Sequence, residues 1–365
     1  MKRLLCILSG MNAGGAETFL MKIYRWLDKS KYQMDFCINT ADKCFYEDEI
    51  TALGGRIYRI PAKSASVSRF KKQLYDVVKS NGYKYVLRIT SNAAGFMDLK
   101  IAHRAGAEIC AVRSSNSSDG GSIQTKIAHS LGRILYGRYV NVRIAPSDLA
   151  AKYTFGRKAY ASGAVNILHN AIDLDMYGYD EHGRTAIRAA FKIPDSTRVL
   201  GHVGRFMAQK NHGFLLDVFA AYIKTNPDSV LMLVGCGELE SQIKKKSESL
   251  GISDKIIFTG VRSDVPALLS AMDVFVFPSL YEGMPNTVIE AQATGLPCVI
   301  ADTITREADI TGLVHYLPLR DAAAWVDYIA ALPQEARTTP AQTFKANGYD
   351  IETAADQFVK LVFEK

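Results

Sequence analysis

Residues 275–299 read FVFPSLYEGMPNTVIEAQATGLPCV, and the order of residue types in that stretch decides the fold class. A buried-type strand ends at Pro278, a loop with Gly283 and Pro285 follows, and a helix begins near Asn286 or Thr287. A strand feeding a helix in this way leaves backbone N–H groups and the positive end of a helix dipole at a strand terminus, a place for an anion. Glu282 lies in the loop and Glu290 on the helix, eight positions later. Both can face a ligand bound at the helix start. Neither suits phosphate, because like charges repel, but ionised carboxylates accept hydrogen bonds from sugar hydroxyls. The competing explanation is an ordinary glutamate favoured by the helix dipole.

Upstream, residues 199–219 read VLGHVGRFMAQKNHGFLLDVF. A strand ends in Gly204, Arg205 follows, and Lys210 comes five residues later, just before a helix. Two cations in one strand-to-helix loop can clamp a diphosphate, Arg as a fork and Lys as a point charge. They also stabilise charge that builds on a departing diphosphate. Their alternative is a solvated basic loop. Near the start, LSGMNAGGAETFL puts Gly14 and Gly15 between a strand and a helix, where glycines permit close backbone approach to a ligand. LVGCGEL, with Gly235 and Gly237, lacks the third glycine of a dinucleotide fingerprint.

The same strand–helix rhythm runs through the chain. In the first half LLCILS, QMDFCIN, RIYRIP, YVLRIT, EICAVR and VNVRIAPS read as strands, and AETFLMKIYRWLD reads as a helix with Phe19, Leu20, Ile23 and Leu27 on one face. The rhythm restarts with RVLGHVGR, SVLMLVG, KIIFTG, VFVFP and CVIA. No single sheet takes all of these. The expectation is therefore an α/β chain of two Rossmann-like, doubly wound parallel-sheet domains facing across a cleft, residues 1–170 and 171–345. The junction is expected at LHNAIDLD, followed by a polar intervening stretch from Tyr177 to Thr185. Residues 346–365 form a last helix, with Ala354, Phe358, Leu361 and Val362 in a stripe, able to pack on either domain. The inter-domain cleft is the expected ligand site.

Bulk properties agree. At about 100–200 residues per domain, 365 residues suit two domains. With 48% hydrophobic and 22% charged residues the chain can bury ordinary cores. No apolar run approaches the ~20 residues that span a bilayer. MKRLLCILSG reads as a first strand rather than a signal peptide, because its apolar run is short and ends in a Gly-rich loop. The six cysteines form no Cys-x-x-Cys pair, so reduced core thiols and a cytoplasmic location are expected. The net charge of +7 suits a polyanionic donor or an anionic membrane face. No interleaved aromatic and basic motif reads bases, so nucleic acid is not an expected partner.

Glu282 and Glu290, GRFMAQKNH with Arg205 and Lys210, LHNAID and GGAE, in that relation along the chain, resemble the retaining nucleotide-sugar glycosyltransferases of family 4. These have the GT-B fold, and the capsular and exopolysaccharide subgroup is most similar. The resemblance implies that Arg205 and Lys210 hold the donor diphosphate and that Glu290 binds the ribose. Glu282 would bond a ring hydroxyl of the transferred sugar. Gly283, Met284, Pro285, Asn286 and Thr287 would meet sugar and phosphate with their backbone, beside Gly204. Gly260 and Val261 would lie by the base, and Gly14 and Gly15 would approach the diphosphate from the opposite domain. It implies a nucleotide-diphosphate donor, UDP above all, no metal and no other cofactor. The acceptor would be a glycan or a lipid-diphosphate-linked sugar at the inner face of the cytoplasmic membrane. Transfer would be front-side, with domain closure excluding water and the leaving phosphate taking the acceptor proton.

One departure stands out. Many members carry a His after the fifth strand of the first domain; here Arg113, Ser114, Ser115 and Asn116 stand there, which makes Arg113 and Asn116 acceptor-side candidates. His103 and His129 fall on predicted helices as tolerated imidazoles, while His169, His202 and His212 lie at strand ends or a helix start with no assigned role. A non-catalytic GT-B partner subunit and a nucleotide-sugar epimerase are the competing functions. The stretch KIAHSLGRILYGRYVNVR, with Lys126, Arg133, Arg138 and Arg143, is a candidate contact for an anionic membrane or a lipid diphosphate, against the alternative of a solvated helix face.

Overall fold

Alternation of apolar residues with period two and 3.6 builds the same layered unit twice. The computed structural model describes residues 1–12, 14–115, 123–334 and 336–364. It divides into two compact units, Met1–Ala171 with Gly348–Lys365, and Ile172–Asn347.

In the first unit seven strands, β1 (Lys2–Ile7), β2 (Tyr32–Ile38), β3 (Ile57–Arg59), β4 (Tyr85–Thr90), β5 (Ile109–Ser114), β6 (Val142–Ala145) and β7 (Asn166–Ile167), form one sheet. Its order is β3-β2-β1-β4-β5-β6-β7, with parallel pairing throughout. Both faces are buried, as a helix-covered parallel sheet requires. Leu4 and Cys6 of β1 enter one core cluster, and Leu5 and Ile7 enter the other. Helix α1 (Gly15–Trp26) covers the first face through Phe19, Leu20 and Ile23. Helix α2 (Phe96–Arg104) follows β4, and α3 (Ile123–Tyr136) precedes β6.

In the second unit six strands, β8 (Arg198–Val203), β9 (Ser229–Val234), β10 (Ile256–Gly260), β11 (Val274–Phe277), β12 (Cys298–Ala301) and β13 (Val314–Leu317), take the order β10-β9-β8-β11-β12-β13. These pairs too are parallel. Helix α4 (His212–Tyr222) follows β8, and α5 (Asn286–Ala293) follows β11. In each unit the strand order reverses once, between β1 and β4 and between β8 and β11. Loops at such a switch point diverge and leave a crevice at the carboxyl edge. The loops that carry Lys210 and Glu282 are those after β8 and β11.

The last helix, α6 (Ile351–Val362), lies on the first unit. Asp350 caps it by accepting from the Thr353 N–H. Its Ala354, Phe358 and Val362 join Phe19, Leu20 and Ile23 in one core. Leu361 of the expected stripe is only half-buried. The stretch from Tyr177 to Thr185 is not the intervening linker expected from its polarity. A helix covers Glu181–Ala190 there, started by Asp180 and held by Arg184 and Arg188, which both pair with Asp273. These charge pairs, with Ile187 as its one buried apolar side chain, fix that helix, so it carries little apolar signal. Five of the six cysteines are buried and Cys236 is exposed; all are free.

Candidate functional site

The second unit's carboxyl edge is built by two loops that hold each other. After β8 the chain makes a short turn, Ala208–Lys210, then passes through Asn211 at φ 54 and ψ 43 into α4. Asn tolerates this left-handed conformation because its short polar side chain bonds locally. The turn sets Lys210 under the loop after β11. Its Nζ lies 2.7 Å from Glu282 Oε1, with both side chains largely buried. The same Nζ sits 4.6 Å from the centre of the Phe277 ring. Two further bonds join the loops: the Leu280 N–H donates to the Gln209 carbonyl at 2.8 Å, and Gln209 Nε2 donates to the Tyr281 carbonyl at 2.8 Å. A charge pair this sheltered from water holds its geometry better than a surface pair.

Gly204 is needed for close approach. A Cβ there would stand 3.0 Å from His202 Nε2 and 3.3 Å from Lys210 Cε. Arg205 points away from this pair; its guanidinium is 69% exposed and reaches Glu238 at 3.4 Å. A pair so exposed holds a guanidinium weakly, so Arg205 is free to turn to a ligand. Helix α5 starts at Asn286 with Pro285 as its N-cap and no side-chain cap. Glu290 is buried one turn inside the helix, and Met284 packs on the core. Gly283 and Thr287 are half-buried at the edge. Gly260 ends β10 at φ 69 with open space where a Cβ would be, and Val261 beside it is 76% exposed.

Behind the pair lies an aromatic layer that the sequence reading left without a role. His202 is buried, stacked on Phe277, and packs edge-on against His212 at 4.7 Å. Its Nδ1 donates to the Val276 carbonyl at 2.9 Å. Burial pushes both imidazoles toward the neutral form, His212 to about 4, and the nearby Lys210 charge adds to the effect. They support Lys210 from below and do not line an open surface. Gln209, Phe277 and Glu238 are the other members that sequence reasoning missed. Their only signal is adjacency to the motif, since each acts through a backbone group, a ring face or a rim contact.

In the first unit the candidates are spread along the carboxyl edge. Gly14 is the N-cap of α1, and a Cβ there would meet Glu17 Oε2 at 2.5 Å, so the Glu17 carboxyl bends back over the helix start. Gly15 is exposed at the first helical position. Burial raises the pKa of Glu17. Arg113, the last residue but one of β5, is a buried guanidinium, 1% exposed. It lies 3.6 Å from the centre of the Phe19 ring and donates to Asn170 Oδ1 at 2.6 Å. No carboxylate pairs with it among the described residues, its Nε has no hydrogen-bond partner, and burial lowers its pKa to about 9. Among the described residues nothing negative offsets this charge, and a buried cation without an offsetting charge is costly. Asn116 lies outside the described residues. His129 accepts from the Ala93 N–H, and His169 stacks on Tyr349 while bonding the Pro146 carbonyl, so both have local partners. His103 sits on α2 against Tyr139.

Comparison with known proteins places this geometry in a family. Residues 197–335 match the model described as Glycosyl transferases group 1. EpsF of Bacillus subtilis (strain 168), assigned as a glycosyltransferase, is 34% identical over 360 residues, 96% of this chain and 94% of its own. The UDP-Gal:alpha-D-GlcNAc-diphosphoundecaprenol alpha-1,3-galactosyltransferase of Escherichia coli is 33% identical over 141 residues, 38% of this chain and 36% of its own. Among solved structures, Anabaena HepE in complex with UDP-glucose superposes with a TM-score of 0.75 at 17% identity, covering 99% of each chain. That likeness extends the two Rossmann-like sheets to the GT-B fold.

Proposed function

This chain belongs to the group 1 glycosyl transferases, and on that premise we propose that it moves a hexose from UDP onto a lipid-linked glycan with retention of configuration and without a metal. The observation that carries this reading is the Lys210–Glu282 pair, 2.7 Å apart at the start of an uncapped helix, on loops after the two switch-point strands. In this structure each charge satisfies the other. When a donor enters, Glu282 accepts a hydrogen bond from a sugar hydroxyl, and Lys210 is released toward the diphosphate. Arg205 swings from its exposed contact with Glu238 to join it. These two cations and the α5 N–H groups then stabilise the charge that builds on the leaving diphosphate. Glu290 holds the ribose, and the exposed Val261 with Gly260 gives the base a flat apolar seat.

The acceptor side is assigned to the first unit, with Arg113 and Asn116 as its candidate contacts. The relative from Escherichia coli is named for a UDP-sugar donor and a diphosphoundecaprenol-linked acceptor, which supports the same chemical classes here. Work in surface polysaccharide assembly at the inner face of the cytoplasmic membrane follows from such an acceptor. The test is a thermal-shift and hydrolysis screen over uridine and guanosine diphosphate sugars in chelator. One stabilising uridine diphosphate sugar, with slow release of UDP, is the expected result. A folded sample that no donor stabilises would overturn the reading in favour of a non-catalytic subunit.

A further inference from the structure

Strands β8 and β11 flank the switch point of the second sheet, and the ladder between them is short. It pairs Leu200 with Val274 and Gly201 with Phe275, and stops there. The next rung would join His202 to Val276. A side chain makes that rung instead: His202 Nδ1 lies 2.9 Å from the Val276 carbonyl oxygen. A carbonyl only accepts, so Nδ1 carries the proton, and the neutral ring leaves Nε2 as a bare acceptor. The imidazole therefore spans the place where the two strands part, with one nitrogen used and the other free.

The free nitrogen is the unusual atom. His202 is fully buried, and its Nε2 has no hydrogen-bond partner among the described residues. Buried polar atoms nearly always have one, so an orphan acceptor here calls for a reason. His212 stands edge-on to the ring at 4.7 Å but is not that partner, since both of its own nitrogens are unpartnered too. Phe275 and Phe277 stack on the ring and carry no donor. An imidazole kept only for its rung to Val276 is the alternative, and it leaves Nε2 unexplained.

One donor stands within reach. A Cβ on Gly204 would lie 3.0 Å from His202 Nε2, 3.3 Å from Lys210 Cε and 3.5 Å from Lys210 Cδ. The imidazole nitrogen and the end of the lysine stem therefore border the same small space, and glycine at 204 keeps that space open. Lys210 Nζ is one bond beyond Cε, and in this structure it donates to Glu282 Oε1 at 2.7 Å. An ammonium has three N–H donors, and turning the end of the stem brings one of them toward Nε2. Glu282 and His202 are thus two acceptors around one ammonium, the carboxylate on the loop and the imidazole beneath it. Burial above all, then His212 and the Lys210 charge, push His202 toward the neutral form, in which Nε2 accepts.

We propose that His202 is the positioning residue for Lys210: when a donor draws the ammonium away from Glu282, it gives one N–H to His202 Nε2 and turns the others toward the diphosphate. This rests on the donor reading above. The carboxylate holds Lys210 in the free protein, and the imidazole holds it in the loaded one. Without a second acceptor, a released lysine would sample many rotamers, and a point charge that wanders stabilises a leaving group poorly. The rung to Val276 fixes Nε2 relative to both switch-point strands. The sheet therefore aims the lysine, rather than its own flexible stem.

Two substitutions in the full chain separate the two nitrogens. In His202→Asn the amide nitrogen falls where Nδ1 was, so the rung survives and the second acceptor is lost. In His202→Gln the amide oxygen falls where Nε2 was, so the acceptor survives and the rung is lost. The readout is release of UDP from UDP-glucose and UDP-galactose, beside the melting temperature. His202→Asn melts near wild type, yet its kcat falls at least about tenfold, the loss of one hydrogen bond to a charged group. His202→Gln melts lower and keeps most of its kcat. A wild-type kcat in His202→Asn, or an equal loss in the two variants, would overturn the proposal, because a purely structural imidazole is spared by Asn and not rescued by Gln. Wild type labelled at its histidine nitrogens needs no variant. Adding UDP moves the His202 Nε2 resonance from that of a bare acceptor toward that of a hydrogen-bonded one. An unmoved resonance in UDP-saturated protein would overturn the proposal while leaving the donor reading standing. No binding of UDP by calorimetry would overturn the donor reading and the proposal with it.

Discussion

The two units share one architecture and use its carboxyl edge in opposite ways. In the second unit the edge is tied shut on itself: a lysine paired with a glutamate, and two loops joined by two backbone-directed bonds. In the first unit the described residues leave the edge more open. Among them are a buried guanidinium that no described carboxylate pairs, a cavity lined by Lys63 and Arg88, and a helix that turns its aliphatic face outward. A pre-joined edge binds a ligand of defined shape with little rearrangement. An edge with unmet charge and apolar surface waits for a partner that supplies what is missing. On the proposed reading, the second unit takes the donor and the first unit takes the acceptor.

The largest effect that breaks the comparison belongs to Lys210. If the second edge stabilises the leaving diphosphate, Lys210→Ala lowers turnover about a hundredfold or more. The melting temperature should fall as well, because the largely buried Glu282 carboxylate is left without its partner. Near-normal turnover in a folded variant would remove the chemistry from this edge.

Next is acid stability, which tests the layer beneath Lys210. His212 is held at about 4 against an ordinary 6.5. Between those values the unfolded chain binds a proton that the folded chain refuses. The stability is therefore full above 6.5 and lost as pH falls toward 4, by about 3 kcal/mol for this one group. The buried His202 shifts in the same direction and steepens the loss. Melting followed by circular dichroism over that range should show the slope, and His212→Phe should flatten part of it. A flat profile in wild type would mean that the layer is open to water.

Arg113 tests the first unit's edge from the other side. Its charge is penalised in full at every pH below about 9. Arg113→Met keeps contact with Phe19 and removes the buried charge, so it should raise stability by about 1–2 kcal/mol. Transfer to acceptor should fall while donor hydrolysis holds. A destabilised variant with normal transfer would make Arg113 a structural residue only.

These contrasts also show what could be read before any coordinates. The second unit's edge was legible because its residues follow one another along two short loops: Gly204, Arg205 and Lys210, then Glu282 to Glu290. Linear spacing there is nearly spatial spacing. The ion pair between Lys210 and Glu282 was not legible, since 72 positions separate the partners and only strand order brings the loops together. β7, two residues long, and β13, with a half-buried pattern, carry too little apolar signal to be read as strands. The outward face of α3 escaped for a different reason. Periodicity finds an aliphatic stripe but does not say whether it points inward, and here the inward face is marked by one glycine and one histidine.

Glu290→Gln is the measure of how far the second edge recognises a nucleotide rather than any anion. Loss of one charge-assisted bond to a ribose hydroxyl should weaken donor binding about tenfold, with turnover at saturation little changed. Calorimetry with the donor checks it, and unchanged affinity would reject the ribose role.

The finest test asks whether the second edge is pre-joined or closes only around a ligand. Gln209 touches neither of the charged partners; its side chain only donates to the Tyr281 carbonyl. The backbone bond from Leu280 to Gln209 survives any substitution at that position. Gln209→Ala therefore removes one of three ties and leaves both charges in place. If the loops are already set in the free protein, the loss is one ordinary hydrogen bond, worth about 1 kcal/mol, and KM for the donor rises about fivefold at unchanged kcat. If the donor itself draws the loops together, the missing tie is felt in the transition state as well, and kcat falls with it. The split between KM and kcat in this one variant separates an edge that is built from an edge that is induced.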